Sequence, residues 1–202
     1  MVDNSVSLCQ GSYVNIRNDM NEKKHLLTMT ALDLFYKNGI NSVGINEVLK
    51  ASGVAKKTLY NHFVSKDALI IATLEYRHNV FLHWLKQSLA NSTTNEDLVR
   101  YLFNALTRWF NNEVPELTSF NGCFFINAAA ECVGQSEEVI TYCRFHKAQV
   151  RQLIASHMQI IDEHLLDMIC LLKEGAITSA YVSQDLQAAQ KCLPWLMSYM
   201  KK

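Results

Sequence analysis

A chain of 202 residues that is 49% hydrophobic, with seven Gly and two Pro, can bury a core without disulfide or metal support and lacks the breakers an all-β fold needs. Its 19 basic and 19 acidic side chains cancel, so a nucleic-acid role must come from local clustering rather than from net charge. No apolar run has the length of a membrane span; the richest, residues 165–172, is short and interrupted by Asp167.

In chain order, residues 1–18 lack a basic-then-apolar signal pattern and read as a flexible leader, which makes the cytoplasm the expected address. Asp19 with Glu22 three residues later forms a candidate capping box, and Leu27, Ala31, Leu34 and Phe35 recur at helical spacing until Asn38-Gly39 stops the run. A short helix follows over residues 45–51, a tight turn at Ser52-Gly53-Val54, and a second short helix over residues 56–63. Ser65 caps a helix that continues to about Leu89. Beyond the polar run 91–94, an amphipathic helix carries Leu98, Leu102, Phe103, Leu106, Trp109 and Phe110 and ends before Val114-Pro115. Helices are expected over residues 123–133, 137–157, 162–182 and 185–200, with Pro194 kinking or breaking the last. The fold class is all-α: a three-helix head over residues 19–65 and a larger helical body over residues 66–202.

The stretch INEVLKASGVAKKTLYNHF, Ile45 to Phe63, places two short helices around a glycine turn, as a helix-turn-helix requires. Val54, Leu59 and Phe63 are the expected packing residues. Lys56, Lys57, Thr58, Tyr60, Asn61 and His62 remain to offer cationic and hydroxyl donors to phosphates and polar groups to base edges. Through residue 70 there are eight Lys/Arg against six acids, with Lys56, Lys57 and Lys66 close together.

With ALDLFYKNG from Ala31 and SKDAL from Ser65, this stretch resembles the signature of the TetR family in order and spacing. The body is similar to one of its subgroups in NGCFFINAAAE from Asn121, in His146-Lys147, and in LLKEGAITSA from Leu171. The resemblance implies a homodimeric transcriptional regulator that binds double-stranded operator DNA and is released when a small apolar or aromatic effector enters the body. It implies no cofactor, no metal and no membrane partner. It also implies phosphate contacts from Thr58, Tyr60, His62 and Lys66. Lys56, Lys57 and Asn61 would lie in the major groove, with Lys57 the candidate for a guanine. Val43 stands where many members carry a hydroxyl, which leaves Ser42 as the nearest one. A small residue is common where Leu49 stands.

For the effector, the body supplies Phe103, Trp109, Phe110, Phe124 and Tyr142, with Asn127, Glu131 and His146 as polar groups; the competing reading is that these are core. Gly175, Ala176, Ser179 and Ala180 suit close approach of a partner helix. Six cysteines form no C-x-x-C pair or finger-like set, which favours reduced thiols in the core. An alternative function is thiol-based redox sensing through Cys123 or Cys143, with Arg144, His146 or Lys147 as neighbours. Phosphate-cradling loops, nucleophile elbows and zinc-hydrolase motifs are missing from the sequence, so no enzyme is expected.

Overall fold

The computed structural model describes the backbone of residues 7–201 and the side chains of residues 21–201. Among them there are helices and no strands: α1 (Ser7–Asn38), α2 (Ile45–Ser52), α3 (Lys56–His62), α4 (Lys66–Leu89), α5 (Asn95–Phe110), a 3-10 turn (Pro115–Leu117), α6 (Phe124–Cys132), α7 (Glu137–Ser156), α8 (Glu163–Val182) and α9 (Ala188–Met200). None of these helices is long and apolar enough to cross a membrane. The chain divides into two compact units, one ending at Thr73 and the other beginning at Leu74, so the division falls inside α4 rather than before Lys66.

In the first unit, Leu27, Ala31 and Phe35 of α1 are buried with Ile40, Val43, Val48, Leu59 and Phe63. Each of the larger of these side chains removed from water contributes about 1.5–3 kcal/mol, and the Ala31 methyl less. Gly53 ends α2 at φ 69°, and its N–H donates to Leu49 O at 2.9 Å; this left-handed position is one that a residue with Cβ adopts only under strain. Ser65 Oγ accepts from Ala68 N at 3.1 Å, so the first turn of α4 is capped as expected. The start of α1 differs from expectation. It begins at Ser7, so Asp19 and Glu22 lie within the helix rather than at its start. Residues 1–6 lie outside the described residues.

In the second unit, α5 is buried along Leu98, Val99, Leu102, Phe103, Leu106, Trp109 and Phe110 and packs on α8 and α9, while α6 packs on α7. A capping box starts α5: Thr94 Oγ1 accepts from Asp97 N at 3.0 Å, and Asp97 Oδ2 accepts from Thr94 N at 3.1 Å. Asp162 caps α8 by accepting from Leu165 N at 3.0 Å. Pro194 lies within α9 and does not interrupt it. The ring is exposed, so the fit around it is not dictated by a crowded core.

Candidate functional site

The first unit presents α3 on its surface. Leu59 is fully buried and Phe63 nearly so, and these two anchor the helix. Lys56, Lys57, Tyr60 and Asn61 are exposed, with Thr58 half-buried. Four residues of the expected groove-reading set are therefore together and accessible on one short helix. Ser42 is exposed and Val43 is in the core, which makes Ser42 the hydroxyl available just before α2.

Two members of the set are placed otherwise. The Lys66 ammonium donates to Ile40 O at 2.6 Å and lies 5.8 Å from the Phe35 ring centroid. It ties the loop after α1 to the start of α4, and its charge is engaged with a carbonyl and a ring face. A phosphate at this position would meet the backbone N–H groups at the α4 N-terminus rather than a free ammonium. His62 is half-buried, its ring beside Phe63 at 6.3 Å, and its Nε2 is buried without a hydrogen-bond partner among the described residues. That nitrogen does not face solvent as a phosphate contact would.

The second unit contains an extended aromatic cluster. Trp109 touches Phe81, Trp84, Phe110 and Phe120, with centroids 5.0–6.0 Å apart. Phe81 also contacts His146, which stacks on Phe125 at 3.4 Å with the rings nearly parallel. His146 Nδ1 lies 3.1 Å from His78 Nδ1, and Tyr142 and Phe145 contact the His78 ring. Nδ1 facing Nδ1 requires one ring to donate and the other to accept, so the two imidazoles cannot both be protonated while this contact holds. Burial pushes His146 down to about 2, helped by the positive charges of Lys147 and Lys173, and burial lowers His78 as well.

Of the expected effector residues, Trp109, Phe110, Tyr142 and His146 belong to this cluster. Phe103 is fully buried but sits six residues before Trp109 on α5, and so points to another side of the helix. Phe124 is buried and contacts Phe125 at 6.3 Å. Asn127 donates to Asn121 O at 3.2 Å and pins its own loop, and Glu131 is half-buried on α6. Sequence reasoning missed His78, Phe81 and Trp84 of α4 as site residues. Their i, i+3, i+6 spacing is the signal that would have found them.

Beside the cluster lies an ionic group. The Lys147 ammonium donates to Glu174 Oε2 at 2.7 Å and to Cys123 Sγ at 3.3 Å, and the buried Lys173 pairs with the same Glu174 carboxylate. Burial disfavours the charged forms of Lys147 and Glu174, yet their partners outweigh it, so Lys147 is raised and Glu174 lowered. Burial pushes the Cys143 thiol up to about 12, against a small opposing effect of Lys147, which removes it as a reactive thiolate. Cys123, Cys132, Cys143, Cys170 and Cys192 are free thiols, whereas Cys9 lies outside the residues whose side chains are described. Among the described residues no group of three His, Cys, Asp or Glu side chains is arranged to hold a metal.

Residues 27–73 match the family model described as bacterial regulatory proteins, tetR family. The regulator YerO of Bacillus subtilis is 33% identical over 86 residues, which are 41% of this chain and 30% of that protein. The repressor NemR of Escherichia coli K12 is 26% identical over 128 residues, 62% of this chain and 61% of NemR. The matches thus span less than two thirds of these relatives. Among solved structures, a TetR-family transcriptional regulator from Streptomyces coelicolor superposes with a TM-score of 0.76 at 23% identity, over 90% of this chain and 95% of that one. Reduced E. coli NemR gives 0.72 at 20% identity, over 87% and 95%. At these identities the structural likeness is one of fold. Residues 27–73 thus match the tetR family of bacterial regulatory proteins, and the all-α chain that carries them has the fold of TetR-family regulators.

Proposed function

We propose that this chain is a sequence-specific, operator-binding transcriptional regulator that acts as a homodimer and is released from DNA by a small effector bound in the second unit. The observation that carries the reading is α3, which holds Lys56, Lys57, Tyr60 and Asn61 in solvent while Leu59 and Phe63 fix it to the head. Lys56 and Lys57 supply charge, and Asn61 and Tyr60 supply hydrogen-bonding groups, as major-groove reading needs. One head reads a half-site; a two-fold pair reads a palindrome. Repression is the sign supported by the likeness to NemR, which is a repressor. Release by effector requires a difference in effector affinity between the DNA-competent state and the other state, and α4 is the continuous helix that both units share.

Selection of duplexes from a random pool at two salt concentrations tests this. A palindrome enriched with salt-sensitive affinity is the expected result. Failure to enrich any sequence at low salt overturns the regulator reading.

A second reading is favoured by one contact. The Lys147 ammonium donates to Cys123 Sγ, while burial disfavours the thiolate of Cys143, which supports thiol-based sensing through Cys123 rather than Cys143. Loss of operator binding on peroxide treatment, abolished in Cys123→Ser and preserved in Cys143→Ser, is its signature.

A further inference from the structure

Trp109 is 3% exposed, and its indole Nε1 is buried with no hydrogen-bond partner among the described residues. The rings against it are those of Phe81, Trp84, Phe110 and Phe120, none of which carries an acceptor oxygen or nitrogen lone pair. A buried donor left this way costs about 1–3 kcal/mol. An N–H against an aromatic face recovers only a second-order part of that. Such a group calls for a partner, whether an ordered water or a ligand atom.

The surroundings give that partner space. Phe120 stands edge-on to Trp109 at 5.0 Å and is half-buried, and it comes from the loop between the 3-10 turn and α6. The connection from α5 to α6 holds two non-glycine residues at positive φ, Asn112 at 62° and Thr118 at 60°. Asn112 Oδ1 accepts from Phe120 N at 2.6 Å. Trp84, which contacts Trp109, also lines a groove of about 260 Å³ with Ser88 of α4, Arg108 of α5, and Glu113, Val114 and Glu116 of the connection. The cluster is thus bordered by the half-buried Phe120 ring and, at Trp84, by an open groove.

We propose that Trp109 Nε1–H is the anchoring donor of the effector site. The effector is an uncharged aromatic molecule bearing one hydrogen-bond acceptor, a carbonyl or ether oxygen, and its ring takes the place of Phe120 against Trp109 and Phe110. This rests on the effector reading above and adds the class of molecule. An uncharged ligand fits because the contacting rings bring no counter-charge, and an unpaired ion among them would bear its full desolvation cost. The His78–His146 pair next to Phe81 is held neutral by burial, so it supplies no charge either.

Three matched probes test the proposal by equilibrium dialysis against the full chain: 2-acetylnaphthalene, 2-ethylnaphthalene and 2-naphthoate. The ketone is expected to bind about tenfold tighter than the ethyl compound, the size of one good hydrogen bond, and tighter than the carboxylate. Trp109→Phe keeps a ring and removes the donor, so it should bring the ketone to the ethyl level and leave ethyl binding in place. In the wild-type chain a tryptophan indole N–H resonance should move downfield with the ketone and not with the ethyl compound, a readout that does not depend on any variant folding. Equal binding of ketone and ethyl compound overturns the anchor, as does a tenfold ratio that survives Trp109→Phe. Preference for naphthoate overturns the uncharged class and points to Lys147 and Lys173. In each of these cases the effector reading itself stands. Binding of none of the three overturns that reading for this cluster, and the inference falls with it.

Discussion

At the scale of single residues, the same charge does different work at Lys57 and Lys66. Lys57 is exposed on α3, so Lys57→Ala should relax preference at particular base positions and cost about 1–3 kcal/mol of operator binding. Competition binding with singly substituted operators checks this; uniform loss across all sequences would assign Lys57 to phosphate instead. Lys66 is engaged with Ile40 O inside the head. Lys66→Met should therefore lower head stability by about 1.5–3 kcal/mol, the range for a hydrogen bond to a charged group, which chemical denaturation followed by circular dichroism would show. A head of unchanged stability would mean that Lys66 is free for phosphate after all. The buried histidines carry a pH dependence of definite sign. His78 and His146 are both held below the ordinary imidazole value of 6.5, His146 down to about 2. The unfolded chain therefore takes up their protons first, and their contribution to stability is present above pH 6.5 and lost as pH falls from there toward 2. Tyr142 of α7, Lys147 beside His146, and Lys173 of α8 face the pair, and Lys147 is raised above its ordinary value, away from the range between neutrality and pH 5. His146→Phe, which preserves the stack on Phe125, should flatten the fall in unfolding free energy between pH 7.5 and 5; an unchanged slope would contradict the assignment.

At the scale of elements, the helix-turn-helix depends on one backbone position. A Cβ at Gly53 meets nothing within 4 Å, so substitution there is opposed by φ 69° alone and not by crowding. Gly53→Val should destabilise the head by about 1–3 kcal/mol while Gly53→Asn stays near wild type, because Asn tolerates the left-handed region. A thermal shift of equal size for both variants would show that side-chain contacts decide instead. Elements of this kind were legible in the sequence because their signals are local. The glycine turn, the Ser65 cap and the buried i, i+4 positions Leu27, Ala31 and Phe35 needed no partner to be recognised. What escaped is set by tertiary context. Asp19 and Glu22 have capping chemistry, but the helix is continuous through them from Ser7. Pro194 has breaking chemistry, yet α9 continues through it. For the candidate site, α3 was readable residue by residue except at Lys66 and His62, whose burial depends on Ile40, Phe35 and Phe63. The aromatic cluster was readable only in part, since α4 contributes His78, Phe81 and Trp84 through contacts with α5 and α7 that sequence spacing alone does not pair.

At the scale of the whole molecule, a palindrome reader needs a second copy, and α8 and α9 offer the surface for it. Leu171, Val182 and Trp195 are 74%, 72% and 61% exposed on helices whose other faces hold Leu165, Ile169, Ile177 and Leu196 in the core. Between the two helices runs a groove of about 260 Å³ that Leu171, Gly175, Ala176, Ser179 and Trp195 help to line. Large apolar side chains standing in water beside small ones form a self-complementary face, since the Trp195 of each copy can seat against the small residues of the other. This is the use expected for Gly175 and Ser179; Ala176 and Ala180, both buried within the subunit, instead pack inward. Leu171→Glu combined with Trp195→Glu places two carboxylates on each side of such an interface while leaving the subunit core untouched. The variant should sediment as a monomer, keep its helical circular dichroism, and lose most of its affinity for a full palindrome while binding an isolated half-site as the wild type does. A variant that remains dimeric would move the two-fold contact to another face, and one that is monomeric yet binds the palindrome fully would separate operator recognition from this pairing.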